Sequence, residues 1–335
     1  MRKCARRFLN KFFLVGTSQP GHAILRSSKL RMRFECPHPI PYQGSKRLLA
    51  PAILSFIQKG NFTRLIEPFA GSAAVTLAAA QKNLFAEYVI ADVLRPLTDI
   101  WRAVVGNPKK LSKDYRRLWE SQSKTDSNER FNQIRAEFND DQDPAKLLYL
   151  LARCVKNAVR FSTRGEFNQS PDKRRQGMRP GTMDLEIHAA HRLLHGRTQV
   201  ICGDFREVLT MANNRDLVYM DPPYQGVSNV RDRRYIQGVQ RGDMIGVLQT
   251  LNQRSVQYIL SYDGHCGGKT YGEPLPADLG AHQLLLEAGR SSQATLSGRD
   301  YVTVESVYLS AGLSTPGTPM QVQLKTFEPQ AALFS

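Results

Sequence analysis

The run Asp221-Pro222-Pro223-Tyr224 has the residue types needed to act on a flat aromatic amine. The amine of a nucleobase attacks poorly, because its lone pair is delocalised into the ring. The Asp221 carboxylate and the Pro222 carbonyl could accept hydrogen bonds from its two N–H groups. The two prolines fix φ at successive positions, so both acceptors would be preorganised. Tyr224 could stack on the base, which would have to leave a duplex to reach this place.

A buried strand is predicted directly before Asp221, because residues 217–220 are mostly apolar. Three other predicted strands also end in an acid, at Glu67, Asp92 and Asp204. In a doubly wound sheet, the carboxyl ends of the strands form the edge where ligands bind. Acids repeated along that edge predict a ligand with hydroxyl groups, amino groups or positive charge. A proline-rich turn, the plainest alternative for residues 221–224, would not need an acid and an aromatic ring.

The segment EPFAGSAA, residues 67–74, is predicted to join a strand to an alanine-rich helix. Gly71 would let the backbone approach a ligand closely, and the following helix would offer its N–H groups. The segment lacks the third glycine of the dinucleotide fingerprint, and it is not followed by the G-K-[ST] of a P-loop. Alone it is a weak signal, since many strand-to-helix turns contain glycine.

The remaining segments continue an alternation of strands and helices, which predicts an α/β fold. Residues 96–160 have a mainly helical pattern. Residues 161–182 are polar, basic and rich in glycine and proline, as expected of a loop or hairpin. Residues 292–310 resemble a pair of antiparallel strands.

The chain has 335 residues and a formal charge of +16, with 46 lysines and arginines against 30 acids. This balance predicts an acidic partner, of which nucleic acid is the most common, although a merely soluble basic protein is the alternative. Five cysteines without a C-x-x-C pair favour a reducing compartment. No apolar run reaches the length of a membrane span, so we expect a cytoplasmic protein without a membrane partner.

Three histidines, His188, His191 and His195, share a predicted helix face. Neither an acid nor a cysteine completes a ligand set with them, so an ordinary helix surface is favoured over a metal site. We therefore predict no metal.

The order of five motifs resembles that of the Dam-type DNA adenine methyltransferases. The motifs are PYQGSK, EPFAGSAAV, ADV, CGDF and DPPY, and the resemblance covers about residues 38–310. DPPY alone would also fit other amine methyltransferases, whereas its combination with the two upstream motifs is specific. The resemblance implies a Rossmann-like methyltransferase sheet with an inserted, mostly helical target-recognition region. It also implies S-adenosylmethionine as methyl donor and adenine N6 in duplex DNA as acceptor, reached by base flipping.

The resemblance further implies roles for individual residues. Catalytic roles would belong to Asp221, Pro222 and Tyr224. Cofactor contacts would come from Tyr42, Lys46, Glu67, Phe69, Gly71, Asp92, Asp204, Phe205 and Asp221. Among these, Asp92 would hold the ribose hydroxyls, and Asp204 and Phe205 would lie at the adenine of the cofactor. Asp92 is followed by Val93, where the family often has an asparagine soon after the acid.

Two basic segments are candidates for DNA contact. Residues 156–179 carry seven lysines and arginines against two acids, and VRDRRY follows the DPPY motif at residues 230–235. Such segments suit contacts with phosphates, with one or two arginines reading guanine edges. The predicted contacts are Arg160, Arg164, Lys173, Arg174, Arg175, Arg231, Arg233 and Arg234. A solvated loop is the plain alternative for either segment.

Other functions stay open at this point. One is an amine methyltransferase that acts on RNA or on cytosine N4, and another is a DNA-binding protein with a decayed active site. The predicted enzyme could serve in a restriction–modification system with a separate cognate endonuclease, or act alone as a modifying enzyme.

The domain organisation expected from these patterns has four parts. Residues 1–35 are predicted to be a basic, disordered extension. Residues 36–95 and 199–312 are predicted to form the catalytic domain, with the target-recognition region at 96–198 between them. Residues 313–335 are predicted to be a loose tail.

Overall fold

The structure, a computed structural model, describes residues 12–16, 23–27, 36–123, 126–223, 239–266, 269–271, 273–290 and 302–313. Within these ranges the strands are β1 (Phe12–Gly16), β2 (Ala23–Ser27), β3 (Arg64–Glu67), β4 (Glu87–Asp92), β5 (Thr198–Cys202), β6 (Asp216–Met220), β7 (Gln257–Cys266), β8 (Lys269–Tyr271), β9 (His282–Arg290) and β10 (Val302–Leu309). The α-helices are α1 (Ala50–Ile53), α2 (Ala74–Gln81), α3 (Arg95–Gly106), α4 (Pro108–Ser121), α5 (Ser127–Asp141), α6 (Pro144–Arg153), α7 (Pro180–Leu194), α8 (Phe205–Val208) and α9 (Arg241–Gln253).

Seven of the strands form an α/β sheet in the order β5-β4-β3-β6-β7-β10-β9. The five strands from β5 to β7 in this order are parallel, and β10 is antiparallel to both of its neighbours. The strand order reverses between β3 and β6, which makes this pair the topological switch point where such sheets bind ligands. The α/β fold expected from the sequence is confirmed.

The central strands are buried because helices cover both faces of the sheet. Every residue of β6 is buried, as expected of a central parallel strand with a continuous apolar run. On one face, α2 buries its whole length except Gln81, and its small side chains allow close packing. On the other face, Met244, Leu248 and Leu251 of α9 are buried in the same cluster as Val218 of β6.

Helices α3 to α6 occupy most of residues 96–160, as their pattern predicted, and α7 follows the basic segment. Helix α3 packs on β4 and β5, while α4 packs on α6 and α7, and α5 packs on α6. The helix starts follow from their sequence: Asn107, Asp126 and Asp143 cap α4, α5 and α6 by accepting hydrogen bonds from backbone N–H groups. Large aromatic residues, among them Tyr115 and Tyr149, fill the space between these helices.

Two predicted segments are only partly described. Within residues 1–35, predicted to be a disordered extension, the structure contains β1 and β2, and β2 pairs in parallel with β9 at the end of the sheet. Both strands contain apolar runs, FFLV and AIL, which favour extended pairing. Of the antiparallel pair predicted at 292–310, residues 292–301 lie outside the described residues, while the later residues contain β10, which pairs with β9.

No helix in the described part of the chain is both long enough and apolar enough to cross a membrane.

Candidate active site

Four acids lie at the carboxyl edge of the parallel strands, as the sequence predicted. Glu67 and Asp92 are the last residues of β3 and β4, Asp221 directly follows β6, and Asp204 follows β5 by two residues. Because β3 and β6 are the strands of the switch point, Glu67 and Asp221 border the crevice between them.

Asp221 is paired with Lys46, which comes from a short 3₁₀ helix far upstream in the chain. The Lys46 Nζ atom lies 3.0 Å from Asp221 Oδ1 and 3.2 Å from Glu305 Oε2 of β10. Only 6% of the Lys46 side chain is exposed, against 20% for Asp221 and 16% for Glu305. One shielded ammonium therefore joins two carboxylates that come from different strands.

Burial raises the pKa of Asp221 to about 6, the Lys46 ammonium lowers it, and the negative charge of Glu305 raises it. The carboxylate form is consequently favoured only above about pH 6, where it can accept hydrogen bonds. Among the described residues, Lys46 is the partner found for Asp221 and it uses Oδ1. Oδ2 is then left to accept a hydrogen bond from a ligand.

Glu67 is almost fully buried and is held at the start of α2. The backbone N–H and the hydroxyl of Thr76 both donate to Glu67 Oε2, at 3.0 and 2.5 Å. Burial is the main reason why the pKa of Glu67 rises to about 8, and the charges of Asp221 and Asp92 raise it further. The charges of Asp221 and Asp92 thus both reach Glu67, which is mostly protonated at neutral pH.

Asp92 fixes the turn that contains Gly71. Its Oδ2 accepts the Gly71 N–H at 3.1 Å, and its Oδ1 accepts the Leu94 N–H at 3.0 Å. Burial raises the pKa of Asp92 to about 6, while these backbone bonds lower it. A carboxylate has about four lone-pair positions. Two backbone donors therefore leave room for the hydroxyl groups of a ligand.

The Gly71 turn is closely packed on its other side. Gly71 has a φ of 50°, and a Cβ atom here would lie 3.2 Å from the Tyr42 ring. The Trp101 indole N–H donates to the Gly71 carbonyl at 2.9 Å, and Ser72 Oγ donates to Ser45 Oγ at 2.9 Å. Only glycine fits this position without displacing its neighbours. The turn is therefore rigid and brings bare backbone to the sheet edge.

Asp204 and Phe205 lie further along the edge. Asp204 caps α8 and pairs with Arg206, whose guanidinium is the main reason why the pKa of Asp204 is lowered. The Phe205 ring lies 5.0 Å from the Phe69 ring, so the two form an apolar wall beside the acids. Asp204 is therefore paired locally with Arg206. Phe69 and Phe205 form a separate ring pair beside it.

Part of the predicted site lies outside the described residues, namely Tyr224, Arg231, Arg233 and Arg234. Pro222 is described and buried, directly after Asp221.

The basic segment predicted as a loop or hairpin is a hairpin over residues 154–171, with isolated bridges at Cys154–Pro171 and Phe161–Phe167. Its arms are joined by the backbone bonds Val155 N–Ser170 O, Asn168 N–Arg160 O and Ser162 N–Glu166 O. Phe161 and Phe167 pack on Phe138 of α5, with ring centroids 6.5 and 6.2 Å away. The aromatic base holds the hairpin on the helices and leaves its tip, residues 163–166, exposed.

The predicted DNA contacts of the hairpin region are mostly exposed. Arg164 lies at the tip, and Lys173, Arg174 and Arg175 lie in the turn that follows the hairpin. Arg174 and Arg175 are 80% and 53% exposed, and both pair with the buried Asp172. Arg160 is half-buried on one arm. The residues therefore form a cationic surface, parts of which are held in place by Asp172.

One backbone bond links this hairpin to the acids. The Gln43 N–H donates to the Asn157 carbonyl at 3.0 Å, so the segment that carries Tyr42 and Lys46 is tied to the hairpin base. Lys156 and Asn157 both have positive φ, at 60° and 51°. Such backbone is costly outside glycine and is kept where surrounding contacts determine it.

Two residues of the site were missed in the sequence. Glu305 lies inside a strand, where nothing in the local pattern shows that it faces Lys46. Trp101 lies in α3, nine residues after Asp92, and a lone tryptophan in a helix is usually part of the core. Strand ends were the signal for the other acids, and neither residue is at one.

Comparison with known proteins agrees with this geometry. The family model for D12 class N6 adenine-specific DNA methyltransferases matches residues 42–283. The DNA N-6-adenine-methyltransferase of Escherichia phage P1 is 28% identical over 194 residues, which are 56% of this chain and 24% of that protein. The DNA adenine methylase of Escherichia coli K12 is 27% identical over 194 residues, covering 56% of this chain and 65% of that protein.

A third relative is the Type II methyltransferase M.MjaIII of Methanocaldococcus jannaschii. It is 25% identical over 179 residues, which are 50% of this chain and 61% of that protein. This chain therefore spans less than two thirds of the length of these relatives.

The family match covers most of the chain and includes the Gly71 turn, Asp92 and Asp221. The chain belongs to the D12 class N6 adenine-specific DNA methyltransferase family, as the motif order predicted.

Proposed function

We propose that this chain transfers a methyl group from S-adenosylmethionine to N6 of an adenine flipped out of duplex DNA. The observation that carries the proposal is the shielded Asp221 carboxylate at the switch point, held through Oδ1 by Lys46 beside the Gly71 turn. The family of the chain gives the reaction type, and the geometry gives a reason why these residues suit it.

Asp221 has the task of orienting the amine. Its Oδ2 accepts one N6–H, and the Pro222 carbonyl accepts the other, so the N6 lone pair points out of the plane of the base. Because Lys46 holds Oδ1 in a shielded place, the acceptor needs little reorganisation during the reaction. As the bond from N6 to the methyl carbon forms, the bond from that carbon to the cofactor sulfur would break and leave a neutral thioether, and the surplus proton of N6 would leave to Asp221 Oδ2 or to water.

The donor set of the site fits S-adenosylmethionine. Gly71 has a positive φ, and a side chain here would meet the Tyr42 ring, so the backbone of this turn stays bare at the edge where the methionine part is proposed to bind. When bound, the cofactor supplies an electrophilic methyl group on a cationic sulfur. Carboxylates near that sulfur suit its charge, and Asp92 keeps lone pairs for ribose hydroxyls beyond those used by Gly71 and Leu94.

The other predicted cofactor contacts can be assigned to successive parts of the cofactor along the sheet edge. We assign Glu67 and the Gly71 turn to the methionine part, with Tyr42 and Lys46 beside them. The Phe69–Phe205 wall is suited to the flat adenine, with Asp204 at its rim.

Duplex DNA would bind to the cationic surface of the hairpin. Arg164 at the exposed tip is placed to reach a groove, and Lys173, Arg174 and Arg175 are suited to phosphates. Arg160, Arg231, Arg233 and Arg234 complete the proposed contacts. Stacking on Tyr224 would offset part of the cost of extruding the base, which is roughly a few kcal/mol.

The decisive measurement is mass spectrometry of nucleosides from plasmid DNA incubated with the protein and S-adenosylmethionine. We expect N6-methyladenine, with no methylation of RNA of matched sequence. Methylcytosine without methyladenine would move the function to cytosine N4, and methylation of RNA alone would replace the proposed substrate. A protein that binds DNA but yields no methylated base in either nucleic acid would contradict the proposal.

A further inference from the structure

Glu305 brings a second carboxylate to Lys46 from the opposite side of the site. It lies on β10, which runs antiparallel between β7 and β9, and its Oε2 is 3.2 Å from Lys46 Nζ. Its side chain is only 16% exposed. A shielded acid in an interior strand is costly to keep charged unless it is paired, so its place calls for a reason.

The backbone of β10 is irregular at this residue. The pairing with β7 shifts register between Glu305 and Val307, since Glu305 is opposite Gly264 and Val307 is opposite Ser261. Such irregularities are common next to active sites, where they re-aim a side chain. After the shift, residues 306–309 are all buried, so the irregularity marks where the strand leaves the core and meets Lys46.

We propose that Glu305 is a positioning residue for the methyl transfer, holding the Lys46 ammonium so that Asp221 keeps one carboxylate oxygen for the substrate amine. This inference rests on the proposed function. Lys46 touches Oδ1 of Asp221, and an ammonium that is shared with Glu305 does not move onto both Asp221 oxygens. Without Glu305, the Lys46 ammonium would interact more strongly with the Asp221 carboxylate and make it a weaker hydrogen-bond acceptor for the amine.

The charges of the three groups also favour a cationic ligand. Counted as three groups alone, Lys46 carries one positive charge and Asp221 and Glu305 carry two negative charges, so the three together are singly negative when all are ionised. A negative cluster attracts a sulfonium more strongly than the neutral thioether that remains after methyl transfer. Replacing Glu305 by glutamine makes these three groups neutral together and weakens that preference.

The first test compares the pH dependence of kcat/KM in wild type, Glu305→Gln and the matched control Glu273→Gln, whose side chain is 79% exposed. Lys46 and Glu305 act on the pKa of Asp221, and the charge of Asp221 in turn raises the pKa of Glu67 and of Tyr219. The wild-type rate should fall as the pH drops through about 6, because Asp221 is then protonated. Without the negative Glu305, the pKa of Asp221 falls, so this acidic limb moves to lower pH.

We also expect kcat of Glu305→Gln to fall about tenfold, because the Asp221 carboxylate is displaced from the amine, while kcat of Glu273→Gln stays unchanged. A purely structural role would lower the rate at every pH without moving the limb. An acidic limb at the wild-type position in Glu305→Gln therefore overturns the proposal.

The second test needs no turnover. Calorimetry measures the affinity for S-adenosylmethionine relative to S-adenosylhomocysteine, and the ratio should fall severalfold in Glu305→Gln but not in Glu273→Gln. An unchanged ratio overturns the charge role of Glu305. If wild type binds both ligands but methylates no adenine, the proposed function fails, and this ratio alone decides the role of Glu305.

Should Glu305→Gln fail to fold, Glu305→Asp keeps the charge on a shorter side chain. It should keep the ligand ratio of wild type while losing part of kcat, because the carboxylate no longer reaches Lys46 in the same geometry. A loss of the ratio in Glu305→Asp would contradict the proposal.

Discussion

The sheet edge and the hairpin, the two regions with proposed functions, differ in how far their charged groups are exposed to solvent. At the sheet edge, Glu67, Asp92 and Asp221 are shielded from water and held by fixed donors such as Thr76 and Lys46. On the hairpin, the charges are mostly arginine and lysine side chains that extend into solvent from a short aromatic base. The first region is part of the sheet, and the second is an attachment to the inserted helices.

The difference fits what each region is proposed to recognise. A shielded charge is screened little by salt and keeps its geometry, which suits a group that must meet one atom of a substrate. An exposed charge interacts weakly with any single partner but adapts to a long polyanion, and its effect falls with salt. We therefore expect substitutions at the sheet edge to change rates and substitutions on the hairpin to change DNA affinity.

The largest effect is expected for Asp221→Ala. Methyl transfer should fall about a hundredfold or more, because the preorganised acceptor at the amine is lost. Single-turnover methylation of duplex DNA measures the step directly, and affinity for DNA should stay within twofold or so of wild type. The exposed residue Asp278 offers a matched control, Asp278→Ala. Near-normal turnover by Asp221→Ala would contradict the expectation that substitutions at the sheet edge change the rate of methyl transfer.

A smaller effect, of a different kind, is expected for Arg164→Ala. Affinity for duplex DNA should fall about tenfold at low salt, and less at high salt, because an exposed cation at the hairpin tip is lost. Fluorescence anisotropy at several salt concentrations measures this, while calorimetry should find the affinity for S-adenosylmethionine unchanged. The control Arg116→Ala removes an equally charged, exposed side chain from α4. Equal losses in both variants would show an effect of net charge and not of the hairpin.

The same contrast explains what could be predicted from the sequence. Asp92 and Asp221 follow apolar runs, and a parallel sheet brings the ends of such runs to one edge, so their neighbourhood was predictable. The hairpin was predictable as a basic turn region, because glycine, proline and charge have local meanings. Both signals depend on residues close together in the chain.

The rest depends on contacts between distant segments. Glu305 meets Lys46 only because β10 inserts between β7 and β9, and the register shift that aims it has no signature in the sequence. The hydrogen bond from Gln43 to Asn157, which ties the acid edge to the hairpin, likewise joins segments more than a hundred residues apart. The pairing of β2 with β9 also joins segments that lie far apart in the chain.

The smallest effect concerns the cost of burying an acid, and it is expected for Glu67→Gln. The pKa of Glu67 is raised to about 8 in the folded chain from an ordinary 4.5, so between these values the folded state binds the proton that the unfolded state has released. Wild type therefore loses stability as the pH rises through this window. Glutamine does not titrate, and its side-chain oxygen can still accept from Thr76.

Melting curves of wild type and Glu67→Gln should nearly coincide at pH 4.5, whereas at pH 8.5 the variant should melt about 2 °C or more above wild type. Glu273→Gln, at an exposed position, should show no such pH-dependent gain. A difference in Tm that stays constant between pH 4.5 and 8.5 would mean that Glu67 is ionised throughout this range. The sheet edge would then hold an ionised buried acid without the expected loss of stability.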